Sequence, residues 1–316
     1  MRRSGIEARH SVLPDYTAAS PADFTFYPPT WAMEPFPTTA QRMAVYEREA
    51  VPLAEAAARA ALLDAGLAPD AVTHLVVTTC TGFFAPGPDV RLTQRLGLPA
   101  HVHRAQIGFM GCFAGVTGLR AAHQIVRGDP TARVLLVAVE LCTLHFQRTP
   151  DLETLVANVL FGDGAAAAVL SAEGAGPRVL AARSALADDT LDQMGWQVGD
   201  HGFVMRLSDE VPTHLQEAVG PFVQGLLQEA GLTRRQVAGW AIHPGGRRVV
   251  EAVGAGLELA PEDLAPSLDV LRRNGNLSSA TVLFVLDALR RTPRPGATLA
   301  LAFGPGLTME GLALSD

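Results

Sequence analysis

The sequence is short of cysteine: only Cys80, Cys112 and Cys142 occur in 316 residues, and they are far apart. An odd number of widely spaced cysteines provides neither a disulfide framework nor the paired spacing of a zinc site. We therefore expect no structural metal, and a reducing compartment, most simply the cytoplasm.

Long apolar runs and basic runs are also missing. The longest apolar stretches contain Gly, Asp or Glu and are too short to span a bilayer, and residues 1–10 lack the apolar core of a signal peptide. A net charge of -7 without a basic run argues against nucleic-acid binding. No GxGxxG or Walker motif occurs, and residues 162–170 (GDGAAAAVL) are a poor substitute, so no nucleotide cofactor is predicted.

The sequence is rich in core-forming residues, with 48% hydrophobic and 18% charged residues, as in a globular protein. Strand-like and helical segments alternate after an irregular first 40 residues, which predicts a layered α/β fold with a mainly parallel sheet. The order of elements repeats loosely, so we divide the chain into two similar halves, residues 1–172 and 173–316. Predicted strands cover residues 73–79, 133–140, 179–187, 237–246 and 298–306, with a further apolar run at 160–172. Predicted helices cover residues 38–66 (with a kink or boundary at Pro52), 91–98, 112–128, 212–231 and 247–257, and a last helix lies within 274–291.

Cys112 is the first candidate for chemistry. Gly111 allows a sharp turn, and Cys112 then falls at or near the first turn of a predicted helix. Helix N-termini carry unpaired N–H groups and a partial positive charge, which predicts a lowered thiol pKa and a nucleophile at neutral pH. The alternative is a small buried hydrophobe.

His243 and Asn276 are the second and third candidates. His243 follows an apolar strand at the edge where α/β sheets bind ligands, and Asn276 lies in an Asn-Gly-Asn segment before a helix. Both side chains can donate hydrogen bonds to one carbonyl oxygen and stabilise an enolate, and His243 could also form an ion pair with the Cys112 thiolate. A Cys-His-Asn protease uses the same residue types, and their spacing leaves both interpretations open.

Six motifs together carry a resemblance to a known family. They are GCFAG (111–115), LFGDGAA (160–166), MGWQVGDHGF (194–203), WAIHPGGRRVVEAV (240–253), NGNLSSATVLFVLD (274–287) and FGPGLTME (303–310). The chain resembles the type III polyketide synthases, the chalcone-synthase-like branch of the thiolase superfamily. Initiating ketoacyl-ACP synthases share the Cys-His-Asn order but have HQAN-type residues in place of HPGG. Thiolases end in a second cysteine, and none follows Cys142.

The resemblance implies a thiolase-type fold of two α/β halves in an α-β-α-β-α arrangement, and a homodimer. It assigns starter loading from an acyl-CoA to Cys112, and decarboxylation of malonyl-CoA to His243 and Asn276. Iterative condensation and cyclisation to a pyrone, resorcinol or related phenolic product would follow, without a metal or redox cofactor. An initiating ketoacyl-ACP synthase-like enzyme and an inactive thiolase-fold binding subunit remain the alternatives.

Further residues receive cavity roles from the same resemblance. Phe161 matches the gatekeeper between the CoA tunnel and the cavity, and Cys142 and His145 match positions that tune cavity volume. Substrate-binding roles also fall to Cys80, to Ala85, which would enter the neighbouring subunit's cavity, and to the wall loop Gly304, Pro305 and Gly306. Outside such roles, Cys80 and Cys142 would be buried, inert thiols.

One departure concerns the N-terminus. The resemblance implies a further strand and helix before residues 4–16, and the missing strand is expected inside the first sheet. Its loss would leave unpaired backbone groups and an exposed apolar face. Arg2, Arg3 and Arg9 lie near the position where the family binds the CoA phosphates.

Overall fold

The computed structural model describes residues 4–292 and 295–315. Its helices are α1 (Thr39–Asp64), α2 (Pro88–Leu96), α3 (Ala114–Gly128), α4 (Leu152–Leu160), α5 (Val211–Ala230), α6 (Arg247–Gly256), α7 (Pro261–Asn274) and α8 (Thr281–Arg291). Its strands are β1 (His74–Thr79), β2 (His103–Gly108), β3 (Arg133–Leu141), β4 (Asp163–Ser171), β5 (Val179–Leu186), β6 (Met194–Gly199), β7 (Gly202–Leu207), β8 (Val237–Ile242), β9 (Ala297–Gly304) and β10 (Thr308–Leu314).

The first helix begins where its capping residues predict. Thr38 and Gln41 form a capping box, in which each side chain satisfies a backbone N–H of the other residue. The helix continues through Pro52 to Asp64, so Pro52 is not a boundary. Residues 4–38 contain only two short 3-10 turns, as expected for an irregular segment.

The N-terminal sheet has the strand order β2-β1-β3-β4. The first three strands are parallel, and β4 runs antiparallel to β3. The edge strand β2 was not predicted because its side chains are almost all exposed, so it shows no apolar alternation.

The C-terminal sheet has the order β5-β10-β9-β8, and only β8 and β9 are parallel. The expectation of mainly parallel pairing is therefore wrong for this sheet. The cause is the short connection Pro305–Leu307, which returns β10 antiparallel alongside β9. β6 and β7 form a separate antiparallel hairpin.

The core consists of alternating layers. Along β3, Leu135 and Val137 pack with α1, whereas Leu136 and Ala138 pack with α3 and α8, because successive side chains of a strand point to opposite faces. α3 and α8 thus lie between the two sheets, and α5 and α6 cover the far face of the second sheet. The result is the predicted α-β-α-β-α arrangement.

Among the described strands, the N-terminal sheet has an unpaired strand edge at β4, and this position differs from the predicted one. The ladder from β2 to β4 has no internal gap, so the prediction of a strand missing from inside the sheet is wrong. Instead, β4 is an edge strand in the described part of the chain, and residues 165–170 are only half-buried. Their side chains still pack against the core layers on both sides of the sheet, so they do not form the predicted exposed apolar face.

Within residues 4–292 and 295–315, every helix is too short or too polar to span a bilayer.

Candidate active site

The turn that carries Cys112 connects β2 to α3. Cys112 lies two residues before Ala114, the first residue of α3, and is 6% exposed. Gly111 has a φ of 101°, and a Cβ at this position would overlap the Pro305 ring. Only glycine fits such a turn without strain, which explains the Gly-Cys step.

Burial controls the charge of the nucleophile. Loss of hydration raises the pKa of the Cys112 thiol to about 11, which hydrogen bonds from Ser278 and Asn276 only partly oppose. The predicted lowering of this pKa is wrong for the free protein, because burial outweighs the hydrogen bonds to the sulfur. Cys112 is therefore protonated, as a thiol, at neutral pH in the free protein.

His243 directly follows β8 and is held by its backbone N–H, which donates to the Leu301 carbonyl at 2.7 Å. The side chain is 1% exposed, yet neither ring nitrogen has a hydrogen-bond partner among the residues that the structure describes. Burial lowers the pKa of His243 to about 3, so the imidazole is neutral. The predicted thiolate–imidazolium ion pair is thus absent in the free protein. Buried unsatisfied polar atoms are rare, so this pair sets His243 apart from ordinary core residues.

Asn276 is oriented by its own hydrogen bonds. Its Oδ1 accepts from the Ser278 backbone N–H at 2.8 Å, which leaves Nδ2 to point toward the sulfur. Nδ2 lies 3.9 Å from Cys112 Sγ and donates to the Gly245 carbonyl at 3.2 Å. A Cβ at Gly245 would lie 3.8 Å from His243 Nε2. Asn276 therefore contacts both Cys112 and Gly245, and the His243 ring lies beside Gly245.

Two cavities adjoin this centre. The first, the nucleophile cavity, is lined by Cys80, Thr81, Gly111, Cys112, Cys142, Phe161, Trp196, Met205, Ser278 and Pro305. The second, the side cavity, is lined by Arg9, Tyr16, Cys142, Thr143, His145, Phe146, Gln147, Thr154, Ala157, Asn158, Phe161, Trp196, Phe203 and Met205. Phe161 lines both cavities, as do Cys142, Trp196 and Met205, and its gatekeeper role stays a prediction. His243 lines neither cavity.

Residues 23–177 match the family model for chalcone and stilbene synthases, N-terminal domain, and residues 179–316 match the C-terminal domain of the same family. The chain belongs to the chalcone and stilbene synthase family. Its relatives are type III polyketide synthases, so it is a member of a family of acyl-transferring condensing enzymes, as the motifs predicted.

Two relatives show the extent of the similarity. The chain is 37% identical to the 1,3,6,8-tetrahydroxynaphthalene synthase of Streptomyces peucetius subsp. caesius, over 98% of this chain and 81% of the relative. It is 35% identical to the alpha-pyrone synthesis polyketide synthase-like Pks18 of Mycobacterium tuberculosis, over 87% of this chain and 73% of the relative.

Solved structures show the same fold. PKS-I from the brown alga Ectocarpus siliculosus superimposes with a TM-score of 0.94 at 32% identity, covering 100% of this chain and 87% of that one. The tetrahydroxynaphthalene synthase of Streptomyces coelicolor A3(2) gives 0.89 at 29% identity, covering 99% and 87%. The fold is therefore the thiolase-type α/β fold of type III polyketide synthases.

The remaining predicted cavity residues divide into two groups. Cys80, Cys142 and Pro305 line the nucleophile cavity, and His145 lines the side cavity. Gly304, Gly306 and Ala85 line neither, and Ala85 is exposed on the surface. A contact of Ala85 with a neighbouring subunit's cavity stays a prediction.

His145 is fixed as a neutral part of the wall. Its Nε2–H donates to the Thr81 carbonyl at 2.7 Å, and its Nδ1 accepts from the Phe203 backbone N–H at 2.9 Å. The ring stacks on Phe203 with 4.0 Å between centroids. Burial lowers the pKa of His145 to about 3.

Arg9 is not a solvated arginine. Its Nη1 donates to the carbonyls of Asn158 and Phe161, at 2.6 and 2.9 Å, so it holds the segment that carries Phe161. Arg2 and Arg3 lie outside the described residues. Binding of CoA phosphates by these arginines stays a prediction.

Three wall residues were missed from the sequence. Trp196 and Met205 face each other across the β6–β7 hairpin, which was not recognised as a pair of strands. Ser278, two residues after Asn276, has a φ of 48° and places its hydroxyl near Cys112. A non-glycine residue at positive φ signals strain of the kind found at functional sites, but sequence alone does not reveal it.

Proposed function

We propose that this member of the family loads an acyl-CoA starter on Cys112 and extends it with malonyl-CoA by decarboxylative condensation. The observation that carries the proposal is the pair of unsatisfied nitrogens on buried, neutral His243, next to an Asn276 amide that points at the Cys112 sulfur. The reaction needs no metal or redox cofactor, because these two side chains supply the donors that an enolate requires.

In the loading step, Cys112 Sγ attacks the thioester carbonyl of the acyl-CoA. The thiol proton passes to neutral His243, a new carbon–sulfur bond forms, and the bond to CoA breaks. The proton then returns to the leaving CoA thiolate. Because Cys112 is stored as a thiol, this proton transfer has to accompany the attack.

In the extension step, an N–H of neutral His243 and Nδ2 of Asn276 donate to the thioester oxygen of malonyl-CoA. Carbon dioxide leaves, the electron pair forms an enolate, and the enolate carbon attacks the acyl group on Cys112, which releases the sulfur. Since His243 lies outside the lining of both cavities, the proposal requires a rearrangement when malonyl-CoA binds.

The product class and the oligomeric state are inferred from the family. We expect a pyrone, resorcinol or related phenolic product, since the relatives include a tetrahydroxynaphthalene synthase and an alpha-pyrone enzyme. A homodimer would cover the exposed strand β2 and the exposed side chains of Phe83, Phe109 and Met110. The cytoplasm suits a catalytic free thiol.

The test is incubation of the protein with labelled malonyl-CoA and a panel of acyl-CoA starters, followed by mass spectrometry of the products. We expect carbon dioxide release and starter-dependent products from the parent, and no condensation product from Cys112→Ala. If the parent released no carbon dioxide with any starter, the proposal would be wrong and an inactive binding subunit would remain. A preference for acyl carrier protein over CoA thioesters would indicate the ketoacyl synthase alternative.

A further inference from the structure

Cys80 lies at the end of β1 and is fixed through its main chain. Its backbone N–H donates to Glu140 Oε2 at 2.9 Å, and its carbonyl accepts from Trp196 Nε1–H at 2.8 Å. Glu140 is itself fully buried on β3 and accepts from Thr81 Oγ1 at 2.7 Å. The position of Cys80 is therefore set by two elements of the structure, the sheet and the β6–β7 hairpin.

The thiol of Cys80 makes two hydrogen bonds with the backbone of Gly111. Its Sγ accepts the backbone N–H of Gly111 at 3.0 Å and lies 3.3 Å from the Gly111 carbonyl, to which the S–H donates. Burial raises the pKa of Cys80 well above its ordinary value, so the S–H is retained. A protonated sulfur is needed, because a thiolate could only accept.

Gly111 is the residue before the nucleophile, and its conformation is unusual. Its φ of 101° is one that glycine alone adopts readily, and Pro305 closes the space above it. Its carbonyl also accepts the Ala114 N–H at 3.0 Å, which starts α3. Without Cys80, the Gly111 N–H would lose its hydrogen-bond partner at a buried position.

We propose that Cys80 is a positioning residue for catalysis: its thiol holds the Gly111 turn and thereby aims Cys112 Sγ at Asn276 and Ser278. The inference rests on the proposed function of Cys112 as nucleophile. It concerns the reactivity of that sulfur, however, which is measurable whether or not polyketides are made.

The test compares Cys80→Ala, Cys80→Ser and the matched control Cys142→Ala. Cys142 is a second buried cysteine that lines the same cavity. For each variant, the rate of Cys112 alkylation by iodoacetamide is measured against pH by mass spectrometry of the Cys112 peptide. kcat and KM for malonyl-CoA are measured in parallel.

In Cys80→Ala we expect kcat to fall about tenfold, equivalent to about 1.4 kcal/mol, with KM changed less than about twofold. The alkylation profile should move to higher pH, because the hydrogen bonds that lower the pKa of Cys112 depend on its position. Cys80→Ser, which keeps a donor and acceptor, should recover most of both properties, and Cys142→Ala should leave the alkylation profile in place.

The inference is overturned if Cys80→Ala keeps the parent's alkylation profile and kcat, or if Cys142→Ala shifts the profile equally. Should Cys80→Ala fail to fold, Cys80→Ser decides: a profile and kcat near those of the parent support the inference, and an alanine-like loss in a folded serine variant contradicts it. If the parent makes no polyketide but Cys80→Ala still moves the alkylation profile relative to the parent, the proposed function is refuted and the role of Cys80 stands.

Discussion

The two halves of the molecule build similar sheets but contribute different chemistry. In each, an antiparallel strand flanks the preceding one, β4 beside β3 and β10 beside β9. The N-terminal half supplies Cys112 from the turn after β2, and the C-terminal half supplies His243 after β8 and Asn276 before α8. In the proposed mechanism, the N-terminal half supplies the nucleophile and the C-terminal half the carbonyl-binding donors, so substitutions in the two halves should affect the partial reactions differently.

The largest effects should come from separating those partial reactions. Cys112→Ala should abolish condensation, while malonyl-CoA decarboxylation continues at the C-terminal donors. Asn276→Asp keeps the acceptor for the Ser278 N–H but loses the donor, so decarboxylation should fall about 10²–10³-fold. Acylation of Cys112 should continue in that variant. Release of labelled carbon dioxide and the intact mass of the acylated protein measure the two steps, and equal loss of both in both variants would contradict this division.

A smaller effect is expected from the ion pair that connects the halves. Arg120 on α3 binds Glu310 on β10 through two hydrogen bonds of 2.9 and 3.1 Å, and the Glu310 side chain is only 2% exposed. Arg120→Ala leaves a buried charge without its partner and should lower the free energy of unfolding by about 3 kcal/mol.

The pair Arg290–Asp64 is the matched control, since it also joins the two halves but its side chains are 53% and 58% exposed. Arg290→Ala should cost about 0.5 kcal/mol. Urea unfolding of both variants measures the difference, and equal losses would show that burial does not set the strength of these contacts.

A further comparison concerns the two buried histidines, one in each half. His145→Leu removes the acceptor of the Phe203 N–H and should destabilise the fold by about 2 kcal/mol. His243→Leu removes two unsatisfied nitrogens and should stabilise it by about 1 kcal/mol. Urea unfolding at pH 7 tests both, and a loss in His243→Leu as large as that in His145→Leu would show that the imidazole has partners.

The same histidines make stability depend on pH. Their pKa values fall from an ordinary 6.5 to about 3 in the folded state, so between these values the unfolded chain binds more protons. Stability should therefore decrease as pH falls from about 6.5 toward 3, by about 1.4 kcal/mol per pH unit for each histidine. Urea unfolding of His145→Leu and His243→Leu at several pH values measures this dependence, and each variant should lose the contribution of its own histidine. An unchanged pH dependence would show that the imidazole is already protonated in the folded state.

Much of the fold was predictable because apolar periodicity is a local property. β1, β3, β5, β8 and β9 were each recognised as apolar runs. The exposed strand β2 and the glycine-containing hairpin β6–β7 lack that signal, and β10 was missed with them. The pairing direction in the second sheet depends on which strands become neighbours. This is a tertiary property, so the sequence of a single segment does not predict it.

The candidate site was predictable as a set of residues, and its electrostatics were not. Gly111, the strand before His243 and the Asn-Gly-Asn segment indicate where chemistry lies, because each is a local break in pattern. The charges of Cys112 and His243 depend on burial by distant parts of the chain. The sequence therefore predicted a thiolate at Cys112, whereas burial favours the thiol. Ser278 and Trp196 acquire their contacts only when the two halves pack together, and Cys80 meets Gly111 only when the ends of β1 and β2 lie side by side.

The half-covered strand β4 has a practical consequence for anyone who handles this protein. After Asp163, the residues of β4 are small or aliphatic, and the strand ends at Ser171. It contains no lysine or proline, the residues that commonly prevent an edge strand from pairing with another strand. Such an edge is a template for further strands. In the described part of the chain, this edge of the N-terminal sheet is therefore open to pairing with a strand of another molecule, whereas β5 pairs with the corresponding edge of β10.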